Sequence, residues 1–120
     1  MTWLSQLPHQ FPFRAASAAR RIDDKTIEGT FACTANDALP LEVMVVEAMA
    51  QLAGGLVFRE AHGFLTGIED CVLDRRIEPG DVITLRVTLD AEFGGTYRFS
   101  GTGAIDGLQC ARGRFYLAKT

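Results

Sequence analysis

Residues 41–60 are apolar at nearly every position, and the apolar side chains fall on all sides of a helical turn rather than along one stripe. Pro40 suits the first turn of a helix, where a missing N–H does no harm, and Asn36 and Asp37 are turn and cap formers. The pattern predicts one helix, about 30 Å long at 1.5 Å per residue, buried all round. Its middle is interrupted by one carboxylate, Glu47. Gly54 and Gly55 lower its helix propensity by roughly 1 kcal/mol each relative to alanine, which points to close approach of another backbone.

The rest of the chain has the two-residue period of strands. Residues 14–22 and 26–33 read as extended stretches around the polar corner Asp23-Asp24-Lys25, the first of them weakened by its alanines. Residues 64–74, 82–89, 96–105 and 108–118 are rich in Val, Ile, Thr, Phe and Tyr, and are punctuated by Pro79-Gly80-Asp81, Gly94-Gly95 and Asp106-Gly107. Asp-Gly between Ile105 and Leu108 predicts a two-residue hairpin, because both turn positions favour positive φ. Within 82–89, Ile83, Leu85, Val87 and Leu89 alternate with Val82, Thr84, Arg86 and Thr88, giving one apolar and one mostly polar face. An antiparallel sheet with one wet face follows, its apolar face curled around the helix. The fold class is α+β. Residues 2–7 could form a short amphipathic turn before Pro8 and Pro12 interrupt the backbone.

Size and composition narrow the picture. A chain of 120 residues, 48% hydrophobic, is expected to fill one core and to form a single domain over 1–120. A net charge of -3, without a basic stripe, argues against nucleic acid as a partner. The three cysteines are odd in number and far apart, so free thiols are expected, with no disulfide framework and no metal site. Glu47 and Gln51 in the most apolar window argue against a membrane span, and the N-terminus does not read as a secretory signal. The expected location is the cytoplasm.

Glu47 is the residue with the most pronounced chemistry. A carboxylate among apolar neighbours is expensive to bury unless water, a ligand or a donor reaches it. Gln51, one turn later on the same face, can supply that donor. The pair serves either as a satisfied structural feature or as part of a site.

Four motifs come in a definite order: Leu7-Pro8-His9-Gln10-Phe11-Pro12-Phe13, Val46-Glu47-Ala48-Met49-Ala50-Gln51, Gly67-Ile68-Glu69, and Arg75-Arg76-Ile77-Glu78-Pro79-Gly80-Asp81. Together they resemble the 3-hydroxyacyl-[acyl-carrier-protein] dehydratases of the hot-dog superfamily, over nearly the whole chain. The resemblance implies a helix wrapped by a six-stranded antiparallel sheet, edge-to-edge pairing of two subunits, and an acyl chain entering along their interface. It implies no cofactor. A catalytic His of one subunit works there with a Glu from the partner's helix, and Glu47 matches that Glu.

The match to the catalytic His is missing. The loop that holds it in the family is shortened here to Thr34-Ala35-Asn36-Asp37-Ala38-Leu39-Pro40. His9 belongs to the Leu-Pro-His motif and His62 follows the helix, so neither occupies the catalytic position. Ser17 and Ala18 also stand where an Asp-Arg pair is usual. Cys33 and Asp37 precede the helix and are candidate substitutes, against their ordinary uses as a core thiol and a helix cap. The candidate site is therefore Glu47 as the catalytic carboxylate, with Gln51, Asp37, Cys33, His9 and Arg75 as substrate-binding candidates.

Three functions fit this set. One is a dehydratase-like protein of fatty-acid, polyketide or aryl-polyene type synthesis, acting on an acyl-carrier-protein or CoA thioester. It would be a homodimer, or a heterodimer in which a second subunit supplies the His. The others are an acyl thioesterase using the lone carboxylate and a non-catalytic acyl-binding subunit. Arg75 and Arg76 could meet the phosphates of a pantetheine carrier or an acidic carrier protein, or simply be solvated.

Overall fold

A computed structural model describes residues 16–33, 41–57 and 63–119. Within them the chain forms β1 (Ser17–Arg21), β2 (Thr26–Ala32), α1 (Leu41–Val57), β3 (Gly63–Leu73), β4 (Val82–Phe93), β5 (Thr96–Ile105) and β6 (Leu108–Lys119). The six strands make one antiparallel sheet in the order β1-β2-β4-β5-β6-β3, with β1 and β3 at its edges. Residues 2–7, the Leu-Pro-His motif, the 34–40 loop and the expected last turn of the helix, 58–60, lie outside the described residues.

The alternation expected for β4 is what directs the sheet. Ile83, Leu85 and Val87 are fully buried, whereas Val82, Thr84 and Arg86 are exposed. Their face meets Val45, Ala48, Met49, Leu52 and Ala53 of α1, none of which has any exposed surface. Phe99 and Phe115 stack across β5 and β6 with ring centroids 5.5 Å apart, adding the directional part of the packing. Helix and sheet thus bury one another, as the all-round apolar pattern of α1 requires.

Close contact between helix and sheet depends on sheet glycines. A Cβ on Gly101 would lie 2.5 Å from Met49 Sδ, and one on Gly29 would lie 2.6 Å from Leu52 Cδ2. The two-residue hairpins form as the residue types require: Asp106 and Gly107 take φ of 51° and 81°, and Gly94 and Gly95 take 59° and 82°.

Two strand limits differ from the sequence expectation. β4 continues beyond Leu89 to Phe93, because an irregularity between Leu89 and Ala91 lets the ladder with β5 resume. β1 is short, and its register with β2 breaks between Ser17 and Arg20, where Ala18 takes a φ of 51°. No helix among the described residues is long and apolar enough to cross a membrane.

The outer face of the sheet is closed by its own charges. Glu28 of β2 accepts from Arg20 at 3.1 Å and from two nitrogens of Arg86 at 3.0 and 2.7 Å. Glu69 of β3 meets Tyr116 and Arg98, and Arg112 reaches Asp74.

Candidate functional site

Glu47 is half-buried between buried Val46 and Ala48. Its helix holds no Lys, Arg or His. Helical spacing puts Val43, Val46, Glu47 and Ala50 on one face. That face is open at its first position and closed at the neighbours of Glu47: Val43 is 46% exposed, Val46 2% and Ala50 8%.

Gln51 is the one buried polar side chain among the described residues, 1% exposed. Its Oε1 accepts the backbone N–H of Ala16 at 3.0 Å, which fixes the orientation of the amide. Nε2 then has no hydrogen-bond partner. The expectation that Gln51 donates directly to Glu47 is therefore corrected: the amide turns its acceptor to the chain entering β1. A second tie holds β1 to the helix, where Arg21 Nη2 donates to the Leu56 carbonyl at 2.9 Å.

Edge strand β3 borders the first turns of α1. The Cys71 thiol donates to the Glu42 carbonyl at 3.6 Å, and its ionisation is pushed up by burial and then by Glu42 and Asp70. Ile68 pairs with core residue Phe115 yet is 50% exposed. Ile68 thus leaves an apolar side chain open on this edge, between Leu65 and Leu73, which pack against the core. Sequence reasoning did not single out Cys71 or Ile68 for this flank; the pairing of β3 with β6 identifies it.

The other candidates sort differently. Cys33 is buried just beyond β2, its N–H donating to Asp81 and its carbonyl accepting from Gly80 at 2.8 and 2.9 Å. Burial, and secondarily Asp81, raises its thiol ionisation. Arg75 is exposed in the connection after β3, next to Arg76, which pairs with Glu78 at 3.2 Å. His9, Asp37 and His62 lie outside the described residues. The described residues contain free cysteines and no cluster able to hold a metal.

A six-stranded antiparallel sheet closed around one buried, carboxylate-bearing helix defines a hot-dog-fold protein. The fold is similar to that of the dehydratase heterocomplex ApeI:P from Xenorhabdus doucetiae, at a TM-score of 0.79 and 16% identity over 100% of this chain and 91% of that one. It is also similar to a hypothetical thioesterase solved with coenzyme A from Streptococcus pneumoniae TIGR4, at a TM-score of 0.68 and 12% identity over 85% and 84% of the two chains. No family model matches the chain. In sequence it is 32% identical, over 91% of its length and 87% of the relative's, to the 3-hydroxyacyl-[acyl-carrier-protein] dehydratase FabZ of Rickettsia felis. The chain belongs to the family of FabZ 3-hydroxyacyl-[acyl-carrier-protein] dehydratases.

Proposed function

We propose that this chain is a dehydratase-like subunit that acts on 3-hydroxyacyl thioesters carried by an acyl-carrier protein or CoA, in the cytoplasm, with Glu47 as its reacting carboxyl. Dehydration removes a proton from C2 and expels the C3 hydroxyl as water while the C2–C3 double bond forms. Glu47 in its protonated form gives its proton to the departing hydroxyl. A histidine takes the C2 proton, and return of that proton to the Glu47 carboxylate resets the site. The observation carrying this reading is a half-buried carboxylate in the middle of a mostly apolar helix, at the position the family reserves for its Glu.

The base comes from outside this chain's own helix-loop region, where the family histidine is replaced by the 34–40 sequence. The functional unit in this reading is a dimer in which a second hot-dog subunit supplies the histidine. Arg75 is the candidate contact for a carrier phosphate. The purified chain alone should leave a 3-hydroxyacyl carrier-protein thioester unchanged. Adding a His-bearing dehydratase subunit should produce the enoyl thioester, and Glu47→Ala should abolish it. Dehydration by the isolated chain would reject the two-subunit assignment. Release of free thiol that is lost in Glu47→Gln would replace dehydration by thioester hydrolysis.

A further inference from the structure

The two edge strands of the sheet carry opposite charge. β3 holds Glu69 and Asp70 and no Lys, Arg or His along Gly63–Leu73, whereas β1 holds Arg20 and Arg21. The register of β3 with β6 shifts between Leu65 and Gly67 and again between Ile68 and Asp70, so Thr66 and Glu69 are the extra residues of two bulges. The hydrogen bond from Tyr116 first, and then the charges of Arg98 and Arg114, hold the Glu69 carboxyl below the ordinary carboxylate range. The side chains of Glu69 and Asp70 are 38% and 42% exposed. Their nearest cations stand behind the edge: Arg98 of β5 is 3.5 Å from Glu69, and Arg114 of β6 is 3.8 Å from each carboxylate. These arginines offset the two charges at a distance, but a strand laid along β3 meets the carboxylates first.

Pairing with a second copy works against this arrangement. A two-fold dimer that extends the sheet lays β3 antiparallel to itself, and full overlap of Gly63–Leu73 centres on Ile68. Ile68, 50% exposed, would meet its own counterpart in a favourable apolar contact. Glu69 and Asp70 of both strands would fall within four residue steps, at most about 13 Å, close to the screening length of about 10 Å at 0.1 M salt. Sliding the register never brings a cation of β3 to face them, since the strand has none. The opposite edge is a poor substitute. β1 is five residues long and irregular between Ser17 and Arg20, with Arg20 engaged by Glu28 and Arg21 by the Leu56 carbonyl.

We infer that β3 selects, over a second copy of this chain, a hot-dog subunit whose own edge strand carries Lys or Arg to meet Glu69 and Asp70. Ile68 contributes apolar contact at the centre, and the carboxylates decide which edge is accepted. Charge on an edge strand also discourages indiscriminate strand pairing. The inference rests on the two-subunit reading only for the partner's role as histidine donor; the charge selection is measured without turnover.

The test is sedimentation velocity of the full chain in about 25 mM and about 500 mM NaCl, which bracket strong and weak screening. Self-association should be at least about threefold weaker at the lower salt, the direction that repulsion between like edges gives. Asp70→Asn should tighten it there and flatten the salt dependence. A copy with Asp70→Lys serves as the basic-edged probe: mixed with the wild type, it should form mixed dimers above the statistical half by native mass spectrometry, and high salt should remove the excess. Self-association that ignores salt or tightens at low salt overturns the inference, as do mixed dimers at the statistical proportion. So does a chain that stays monomeric at both salts and in the mixture, or one that forms salt-sensitive species larger than a dimer through β1. If Asp70→Lys does not fold, the wild-type salt dependence and its loss in Asp70→Asn decide the matter. Dehydration with a His-bearing subunit, alongside self-association that ignores salt, would reject this inference and keep the two-subunit reading. Charge selection without dehydration in any such mixture would do the reverse.

Discussion

Glu28 shows at the scale of one residue how the polar side of this sheet is held. Hydrogen bonds from Arg86 first, and then Arg20, hold its carboxyl below the ordinary carboxylate range. A carboxyl depressed in the folded state stabilises the fold above its unfolded pKa of about 4.3 and loses that contribution as pH falls through the folded value. Thermal unfolding followed by circular dichroism should therefore show Tm falling more steeply below about pH 4.5 in the wild type than in Glu28→Gln. Because solvent screens these pairs, the difference between the two curves should be small at neutral pH in high salt. In the core the limits are steric. Gly101→Ala places a methyl 2.5 Å from Met49 Sδ, and both sites are buried. Denaturant unfolding should show a loss of about 1–3 kcal/mol, the usual range for overpacking. In a Met49→Ala background the same substitution should be less damaging, a coupling that a double-mutant cycle reads directly.

The elements depend on a few backbone positions. Gly107 has a φ of 81° and nothing within 4 Å of where a Cβ would sit, so the effect of Gly107→Ala isolates the conformational term. It should destabilise the protein by about 1–2 kcal/mol, the typical left-handed penalty for a residue with a Cβ. Ala18 is the reverse case, a Cβ-bearing residue at a φ of 51° in an edge strand. Four side-chain ties surround it: Ser17 to Thr30, Arg20 to Glu28, Gln51 to Ala16 N–H and Arg21 to the Leu56 carbonyl. Ala18→Gly relieves the penalty, and the greater freedom of glycine in the unfolded chain offsets part of the gain. Chemical denaturation should show Ala18→Gly as neutral to about 1 kcal/mol more stable. A marked loss of stability would mean that the Ala18 methyl makes packing contacts that outweigh the backbone strain.

At the scale of the whole molecule, what was legible in the chain was what local chemistry dictates. The all-round apolar run announced α1, the period-two alternation announced the inward face of β4, and Asp106-Gly107 announced its hairpin. The strand order β1-β2-β4-β5-β6-β3 was not readable from period alone, since pairing β3 with β6 joins elements far apart in sequence. The break in register at Leu89 and the positive φ of Ala18 were hidden for the same reason: alternation marks a strand but not the partner that bends it. Glu47 and Gln51 were both visible as polar residues in an apolar run. The direction of the Gln51 amide was not, because its partner is a backbone N–H 35 residues away. The open flank around Val43 and Ile68 likewise emerged only when β3 took its place at the sheet edge. That edge adjoins the helix that carries Glu47, where Cys71 of β3 reaches the Glu42 carbonyl. The most direct test mixes this chain with a His-bearing dehydratase subunit and measures enoyl thioester formed from a 3-hydroxyacyl carrier-protein thioester. Activity that requires both chains, and is lost when either Glu47 of this chain or the partner's histidine is substituted, is the predicted result; activity that persists in the Glu47→Gln mixture would contradict it.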